Sequence, residues 1–316
     1  MKPIVALNSA TQASAFCQEA RQMLLDAGFE LRCNEGIRPT PEQLKEMVSG
    51  AYAIVAGTEK YTADVLEAAD QLKVIIRFGV GTENFDLEAM RKRDIQVGVI
   101  TNYNAVAEFT LTLMLSVLKN LPRFDAAARE GKWSRFPMRE LTGKTVGLVG
   151  FGRIGQRVAE LLQGFGTEIL AYDPYMNAEA AQARKVCAVS LEELLNRSDV
   201  VSLHLPATEE TRHLINRQSI ASMKDGAYLI NTARGSLVDE AALYDALVSG
   251  KLSGAAQDVF EKEPVTADNP LFGLTNNVVA PHVSALSFET NYNGSLICAE
   301  SIIRVSRGDA PLYPLR

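Results

Sequence analysis

The hydrophobic positions of the chain form short apolar runs that alternate with segments of helical periodicity. In the first hundred residues, five apolar runs predict strands at Ile4–Leu7, Phe29–Cys33, Ala53–Ala56, Val74–Phe78 and Gln96–Val99. Between them, apolar residues recur three and four positions apart and predict helices at Ala15–Ala27, Pro41–Val48, Ala63–Ala69 and Leu87–Arg93. Strands that alternate with helices indicate a parallel sheet covered by helices.

A second alternating series begins at Thr145. It predicts six strands, at Thr145–Val149, Glu168–Tyr172, Val200–Leu203, Ala227–Ile230, Gly254–Asp258 and Val278–Ala280. Its predicted helices include Leu191–Asn196, Asn216–Met223 and Asp239–Ser249, and a final helix, Ser287–Ser306, follows the last strand. Six strands with helical crossovers predict a second, doubly wound sheet. A length of 316 residues also favours about two domains.

The two series are separated by a helix and an irregular segment. The helix, Asn104–Leu121, has apolar residues on nearly every side, which predicts burial all round. It would cross between the domains or pack against another subunit. After Pro122, the positions of Gly131, Pro137 and Gly143 predict a loop-rich arm.

A glycine-rich turn joins the first strand and first helix of the second series. Gly150-Phe-Gly152-Arg-Ile-Gly155 follows Val146–Val149 and opens the helical run Arg153–Phe165. Here Gly150 permits a tight turn, Gly152 lets backbone approach a pyrophosphate, and Gly155 lets the helix pack closely. The helix N-terminus would bind the phosphates. The structural alternative is a turn with helix-packing glycines.

An acidic residue ends the strand that follows this helix. Asp173 lies about 20 residues beyond the glycines, where a carboxylate binds a ribose 2′-hydroxyl and repels a 2′-phosphate. The glycine motif and this acid together predict a domain that binds NAD.

Composition and charge exclude several classes of protein. The net charge is −6 and there is no basic run, which argues against a nucleic-acid partner. The four cysteines lack metal-ligand spacing, so we expect reduced thiols, no metal site and a cytoplasmic protein. The N-terminus leads directly into a strand, so no signal peptide is expected. The apolar stretch Phe109–Leu118 is too short to span a membrane, and no membrane partner is expected.

Three strands of the second series end in residues suited to catalysis. They lead into Asn231-Thr-Ala-Arg234-Gly235, Asp258-Val-Phe-Glu-Lys-Glu263-Pro264 and Pro281-His282. Because the carboxyl ends of parallel strands meet at one edge of a sheet, we expect these segments near the glycine turn. Hydride transfer needs a proton donor such as histidine, a carboxylate to orient it, and a guanidinium to hold a substrate carboxylate.

The residues alone leave alternatives open. Glu261 and Glu263 are both candidates for the orienting acid, and each could instead belong to a solvated loop. Of the other two histidines, His204 would shape the cofactor wall, and His213 lies in a polar stretch that predicts a solvated side chain.

Taken together, these motifs resemble the D-isomer-specific 2-hydroxyacid dehydrogenases, in particular the phosphoglycerate dehydrogenase-like branch. The resemblance implies two doubly wound parallel-sheet domains with a cleft between them. Residues 1–102 and 287–316 would form a flavodoxin-like substrate domain, and residues 103–286 a Rossmann NAD domain. The segment Arg77–Asp86 resembles the family's glycine-rich substrate loop.

The resemblance also assigns roles by motif position. The catalytic set would be Arg234, Glu263 and His282. Substrate would be bound by Val80, Gly81, Asn102 and Arg234, with the N–H groups of Val80 and Gly81 on its carboxylate. Asp258 would bind the nicotinamide carboxamide. NAD would contact, in chain order, Gly150, Gly152, Arg153, Ile154, Gly155, Asp173, His204, Pro206, Thr211, Thr232, Ala233, Asp258 and His282.

The implied activity is NAD-dependent interconversion of a D-2-hydroxy acid and its 2-keto acid by a homodimer. 3-Phosphoglycerate is one candidate substrate, and hydroxypyruvate or glyoxylate is the alternative. Phosphoglycerate enzymes often have an arginine where this chain reads Ala56-Gly-Thr-Glu59. Lys60, Arg77 and Arg135 are alternative phosphate ligands, and Arg135 could reach a neighbouring subunit's site. A non-catalytic NAD(H)-sensing protein is the alternative from a different functional class.

Overall fold

The structure is a computed structural model that describes residues 2–8, 14–34, 39–100 and 103–315. The chain forms two compact units. Unit 1 comprises Met1–Asn102 and Leu286–Arg316, and unit 2 comprises Tyr103–Ala285. The chain returns to unit 1 at Leu286, one residue before the predicted boundary at residue 287. Asn102, a predicted substrate ligand, lies outside the described residues.

Unit 1 is built on a sheet of five parallel strands. They are β1 (Ile4–Leu7), β2 (Glu30–Cys33), β3 (Ala51–Ala56), β4 (Val74–Arg77) and β5 (Gln96–Val99). Their order across the sheet is β2-β1-β3-β4-β5, which is the flavodoxin-like order. The apolar runs of β1, β3 and β4 are almost wholly buried, because helices cover both faces of a parallel sheet.

The helices of unit 1 enclose two hydrophobic clusters, which lie on opposite faces of this sheet. In chain order they are α1 (Gln18–Asp26), α2 (Pro41–Val48), α3 (Ala63–Glu67), α4 (Leu87–Lys92) and, from the C-terminal segment, α12 (Phe288–Ser306). The last of these adds Ile302, Ile303 and Val305 to the core cluster that α1 also packs on.

Unit 2 contains a sheet of seven parallel strands, one more than predicted. They are β6 (Thr145–Val149), β7 (Glu168–Tyr172), β8 (Cys187–Ala188), β9 (Val200–Leu203), β10 (Ala227–Asn231), β11 (Leu252–Gln257) and β12 (Asn277–Val279). Their order is β12-β11-β10-β9-β6-β7-β8, which is the Rossmann order with β12 added at one edge. The missed strand is β8, which has only two residues, within the short apolar run Val186–Val189.

The helices of unit 2 are α5 (Asn104–Leu118), α6 (Leu121–Arg129), α7 (Arg153–Leu162), α8 (Ala178–Ala183), α9 (Leu191–Arg197), α10 (Arg217–Ser222) and α11 (Glu240–Ser249). Short 3-10 helices follow α7 and precede α11 and β12. None of the helices in the described ranges is both long and apolar enough to cross a bilayer. The two parallel α/β folds predicted from the alternation are confirmed.

Two expectations for the segment between the sheets were wrong. Helix α5 is not buried all round, because Asn104, Glu108 and Thr112, spaced four residues apart, form an exposed polar stripe. Its other side packs on α7 and on the end of the unit 2 sheet. The first part of the predicted loop-rich arm is helix α6, in which Pro122 occupies the first turn, where a missing N–H costs nothing.

Candidate active site

The glycine turn after β6 is shaped by close backbone contacts. Gly150 has a φ of +105°, and a Cβ there would lie 2.6 Å from the carbonyl carbon of His204. A Cβ on Gly155 would overlap the carbonyl oxygen of Gly150. At Gly152, by contrast, a Cβ would meet nothing within 4 Å. Gly152 is the N-cap of α7 and no side chain caps the helix, so this end suits a phosphate group.

Asp173 is bound to the same turn. Its carboxylate accepts the N–H of Phe151 at 2.7 Å and that of Tyr175 at 2.8 Å. These bonds fix the acid at the carboxyl end of β7, beside the glycines. An open helix N-terminus next to a fixed carboxylate fits the pyrophosphate and ribose of a dinucleotide.

His204 lies directly beneath the glycine turn. Its Nε2 is 3.0 Å from the hydroxyl of Ser202, and its backbone N–H donates to Val149. Burial lowers the pKa of His204 from 6.5 to about 4, so the ring is neutral near pH 7. Farther along this loop, the Thr211 hydroxyl donates to the carbonyl of Pro206 at 2.8 Å and so stabilises the turn after β9.

The loop after β10 is folded by a buried asparagine. The Asn231 side chain accepts the N–H of Ala233 at 3.0 Å and donates to the carbonyl of Arg234 at 2.9 Å. The Thr232 hydroxyl hydrogen-bonds Thr110 of α5 at 2.7 Å, so its side chain is engaged within unit 2. Sequence reasoning assigned no role to Asn231 or Thr110, although Asn231 stands at the start of the motif.

The loops after β10 and β11 touch through their backbones. A Cβ on Gly235 would overlap the carbonyl group of Phe260, so only glycine fits there. Because Gly235 follows Arg234 and Phe260 precedes Glu263, this contact fixes the separation between the two loops. The charge of Arg234 is felt at Glu263, whose pKa it helps to lower.

His282 and Glu263 form a close pair of ionisable groups at this rim. His282 Nδ1 lies 2.7 Å from Glu263 Oε2, and Glu263 Oε1 accepts the N–H of Phe260 at 3.0 Å. Burial pushes the pKa of Glu263 upward. The His282 hydrogen bond, the Phe260 N–H and the Arg234 charge outweigh burial, so the net pKa is lowered. The pair therefore combines an ionised carboxylate with an imidazole whose remaining nitrogen is Nε2.

A buried acid supports the turn that carries His282. The backbone of His282 is left-handed, with a φ of +55°. Asp258 is fully buried, and its carboxylate accepts the N–H groups of Val283 and Ser284, each at 2.8 Å. Its own carbonyl accepts the N–H of His282 at 2.7 Å. Asp258 thus positions the histidine. Its binding to the nicotinamide carboxamide stays a prediction.

The second acid of the same loop contacts a different histidine. Glu261 Oε1 lies 3.0 Å from His213 Nε2, and both side chains are about one-third exposed (34% each). The Glu261 carboxylate also accepts the backbone N–H of Glu240 at the start of α11, and the Glu240 carboxylate accepts the backbone N–H of Glu261. The acid beside His282 is therefore Glu263, and the expectation of a solvated His213 was wrong because a distant loop supplies its partner.

Unit 1 contains the predicted substrate loop after β4. The Arg77 guanidinium donates to the carbonyl of Gly81 at 2.8 Å and to that of Phe78 at 3.0 Å. These bonds turn the carbonyl groups toward the arginine. Within the described residues, the N–H groups of Val80 and Gly81 have no acceptor. Two neighbouring free N–H groups are suited to an anion.

Comparison with known proteins gives the family. Residues 111–284 match the model of the D-isomer specific 2-hydroxyacid dehydrogenase NAD binding domain. The chain is 43% identical over 299 residues to a D-3-phosphoglycerate dehydrogenase of Methanocaldococcus jannaschii, covering 92% of this chain and 56% of that enzyme. It is 40% identical over 293 residues to a hydroxypyruvate reductase of Thermotoga maritima, covering 91% of this chain and 94% of the relative.

A solved structure is similar over its full length. The crystal structure of the TT0316 protein from Thermus thermophilus superposes with a TM-score of 0.92 at 35% identity, covering 99% of this chain and 100% of that one. The chain spans little more than half the length of the phosphoglycerate dehydrogenases it matches, 57% and 56%. Fold and sequence agree: the chain belongs to the D-isomer specific 2-hydroxyacid dehydrogenase family, and unit 2 contains its NAD-binding domain.

Proposed function

We propose that the protein is an NAD-dependent oxidoreductase that interconverts a D-2-hydroxy acid and its 2-keto acid. The observation that carries this proposal is the His282–Glu263 pair, 2.7 Å apart, on the rim that also contains the dinucleotide turn. An imidazole oriented by an ionised carboxylate is a general acid–base pair. Its place at the carboxyl ends of the strands is where ligands bind in open α/β sheets.

Each residue has one task in this proposal. NAD supplies or accepts the hydride when bound, and the residues of the chain bind and position the reactants. His282 Nε2 gives a proton to the keto oxygen during reduction and takes it back during oxidation. Glu263 holds Nδ1 and stabilises the imidazolium, and Arg234 binds the substrate carboxylate. Val80 and Gly81 remain predicted ligands of that carboxylate through their N–H groups.

The preference for NAD over NADP is assigned to Asp173. Its carboxylate is fixed by two backbone N–H groups beside the glycine turn, and a 2′-phosphate would meet that negative charge. We expect kcat/KM with NADH to exceed that with NADPH. Asp173→Ser should narrow the difference, whereas Asp245→Asn, an exposed acid on α11, should leave it unchanged. A preference for NADPH in the natural protein would contradict this assignment.

A spectrophotometric panel tests the activity. NADH oxidation is followed with glyoxylate, hydroxypyruvate, 3-phosphohydroxypyruvate and pyruvate as the keto acids. We expect turnover with at least one of them. Tight NADH binding without turnover of any keto acid would contradict the proposal and favour an NAD(H)-sensing protein.

The homodimer and the cytoplasmic location belong to the same proposal. Helix α6 has no buried residue, and the segment that follows it leaves Trp133 85% exposed and Met138 52% exposed. A stacked pair, Phe124 and Phe136 with ring centroids 4.3 Å apart, stiffens this segment. A second copy of the chain would cover these apolar groups. A monomeric mass by light scattering would contradict the dimer.

The four cysteines support the cytoplasmic location. None of them forms a disulfide: Cys298 is buried, Cys17 is half-buried, and Cys33 and Cys187 are exposed. Free thiols persist in a reducing compartment. Fractionation of the cells that make the protein would test this location directly.

A further inference from the structure

The loops that follow β3 and β4 in unit 1 are joined into one surface. Ala56 pairs with Arg77 at the ends of these strands, and the N–H of Phe78 donates to the carbonyl of Ala56 at 2.8 Å. The Asn84 side chain donates to the carbonyl of Gly57 at 3.1 Å and to that of Glu59 at 2.6 Å. The loop containing Glu59 is therefore fixed beside the loop that presents Val80 and Gly81.

The carboxylate of Glu59 has a defined position on this surface. Its Oε2 accepts the N–H of Gly57 at 2.8 Å, and the side chain is half-buried. Beneath it lies the fully buried Tyr61, whose hydroxyl accepts a hydrogen bond from Asn8 at 2.6 Å. Burial, together with the nearby Glu59 charge, raises the pKa of Tyr61 well above its ordinary value. Glu59 is thus a fixed negative charge above an uncharged phenol.

A cation also lies near this acid, because the charge of Arg77 acts on the pKa of Tyr61 in the opposite direction to that of Glu59. Arg77 donates to the carbonyls of Phe78 and Gly81, so its guanidinium holds the loop together. Lys60 and Glu83 are both exposed, and their charges are opposite in sign. Among the described residues, Glu59 has no ion-pair partner within 4.0 Å.

We propose that Glu59 makes the protein select an unphosphorylated 2-keto acid with a hydroxyl tail over the phosphorylated counterpart. The inference rests on the proposed function, in which Val80 and Gly81 bind the substrate carboxylate. In this proposal the far end of a three-carbon substrate lies over the neighbouring loop, which hydrogen bonds from Asn84 hold beside the loop of Val80 and Gly81. A hydroxyl there can donate to Glu59, whereas a phosphate dianion meets a like charge. The favoured substrate class is therefore hydroxypyruvate-like.

Paired kinetics test the selection. kcat/KM is measured with hydroxypyruvate and with 3-phosphohydroxypyruvate, using NADH, for the natural protein and for Glu59→Gln. Glutamine keeps the acceptor for the Gly57 N–H and removes the charge. We expect the natural protein to prefer hydroxypyruvate. Removing one like charge should raise kcat/KM for the phosphorylated acid by about tenfold and change that for hydroxypyruvate by less than about threefold.

Two further variants control the result. Glu67→Gln removes an exposed acid on α3 of the same unit and should leave the ratio of the two substrates unchanged. Lys60→Gln should also leave the preference for hydroxypyruvate in place. The proposal is overturned if Glu59→Gln leaves the ratio within about twofold. It is also overturned if the natural protein prefers the phosphorylated acid.

A binding measurement separates this inference from the proposed function. Calorimetric titration with D-glycerate and D-3-phosphoglycerate, in the presence of NADH, needs no turnover. Absence of turnover with every keto acid would remove the proposed function. Selective binding of D-glycerate that weakens in Glu59→Gln would still support the role of Glu59, and equal binding of both acids would remove it.

Discussion

Opposite chemistry holds the loops after β6, β7, β11 and β12 in unit 2 and the loop after β4 in unit 1. In unit 2, the carboxylates of Asp173, Asp258 and Glu263 accept backbone N–H groups from the loops around them. In unit 1, one guanidinium, that of Arg77, donates to the backbone carbonyls of the loop after β4. The first arrangement consumes N–H groups, and the second consumes carbonyl groups and leaves N–H groups free.

The difference matches what each rim is proposed to bind. A loop whose carbonyls are held inward presents positive dipoles, which suit a substrate carboxylate. A loop held by carboxylates keeps an imidazole in one orientation next to negative charge, which suits a general acid. Replacing the carboxylates by a guanidinium, or the guanidinium by carboxylates, would reverse the charge beside the loop. The predictions below alter one rim at a time.

The largest effect is expected from His282→Ala in unit 2. It removes the proton donor, so turnover should fall by at least about 10²-fold, the usual scale for a positioned acid or base. Steady-state kinetics with the best keto acid measures it. His213→Gln is the matched control, because His213 contacts Glu261 and not Glu263, and it should retain most of the activity. Near-normal turnover in His282→Ala would remove this residue from the mechanism.

Acid should weaken unit 2 before unit 1, because the buried His204 lies in unit 2. The pKa of His204 is about 4 in the folded protein against 6.5 ordinarily, so the unfolded chain takes up the proton first. The stability present above pH 6.5 is lost progressively toward pH 4, by up to about 3 kcal/mol. Urea unfolding at pH 7 and pH 5, with hydrogen exchange to resolve the units, measures the loss.

The matching variant is His204→Gln, which should lose less stability between these two pH values than the natural protein. Equal losses in the two proteins would show that another group controls the acid response.

Arg77→Gln should break the arrangement of unit 1 alone. Losing charged hydrogen bonds to the loop carbonyls should lower kcat/KM for the keto acid by about 10- to 100-fold. Because the dinucleotide site is in unit 2, the Kd for NADH should not change. Arg91→Gln, an exposed arginine on α4, is the control. A weakened NADH affinity in Arg77→Gln would argue against separate roles for the two rims.

The smallest effect is expected from Asp258→Asn. Its amide would set a donor against the N–H of Val283 or Ser284 in a fully buried position. Leaving one buried donor unpaired should reduce kcat by about tenfold, through the His282 turn. Asp245→Asn on the surface of α11 is the control. If Asp258→Asn raised only the KM for NADH, the acid would act on the nicotinamide and not on the histidine.

Much of this architecture could be predicted from the sequence because local patterns determine it. Apolar runs located eleven of the twelve strands, and the missed strand β8 has only two exposed residues. Helix α6 was missed because Pro122 was interpreted as a stop signal, although Pro in a first turn is favourable. Asn120, with a φ of +50°, makes the actual break between α5 and α6.

The site was only partly predictable, since its support comes from residues far apart in the chain. The motifs identified Arg234, Glu263 and His282 as candidates. They could not show that Asp258 holds the turn after His282, or that His213 meets Glu261. Such contacts depend on the order of strands β10, β11 and β12, which hydrophobic periodicity does not specify.

The discontinuity of unit 1 affects when each half of the molecule can finish folding. Unit 2 is one uninterrupted stretch, Tyr103–Ala285, so all of its strands have been synthesised by the time the ribosome reaches Ala285. Unit 1 starts earlier but needs α12, which supplies Ile302 and Ile303 to its core. Its edge also needs the segment that contains Leu315, whose N–H donates to the carbonyl of Val97 at 2.9 Å. The half that leaves the ribosome first is therefore the half that is completed last.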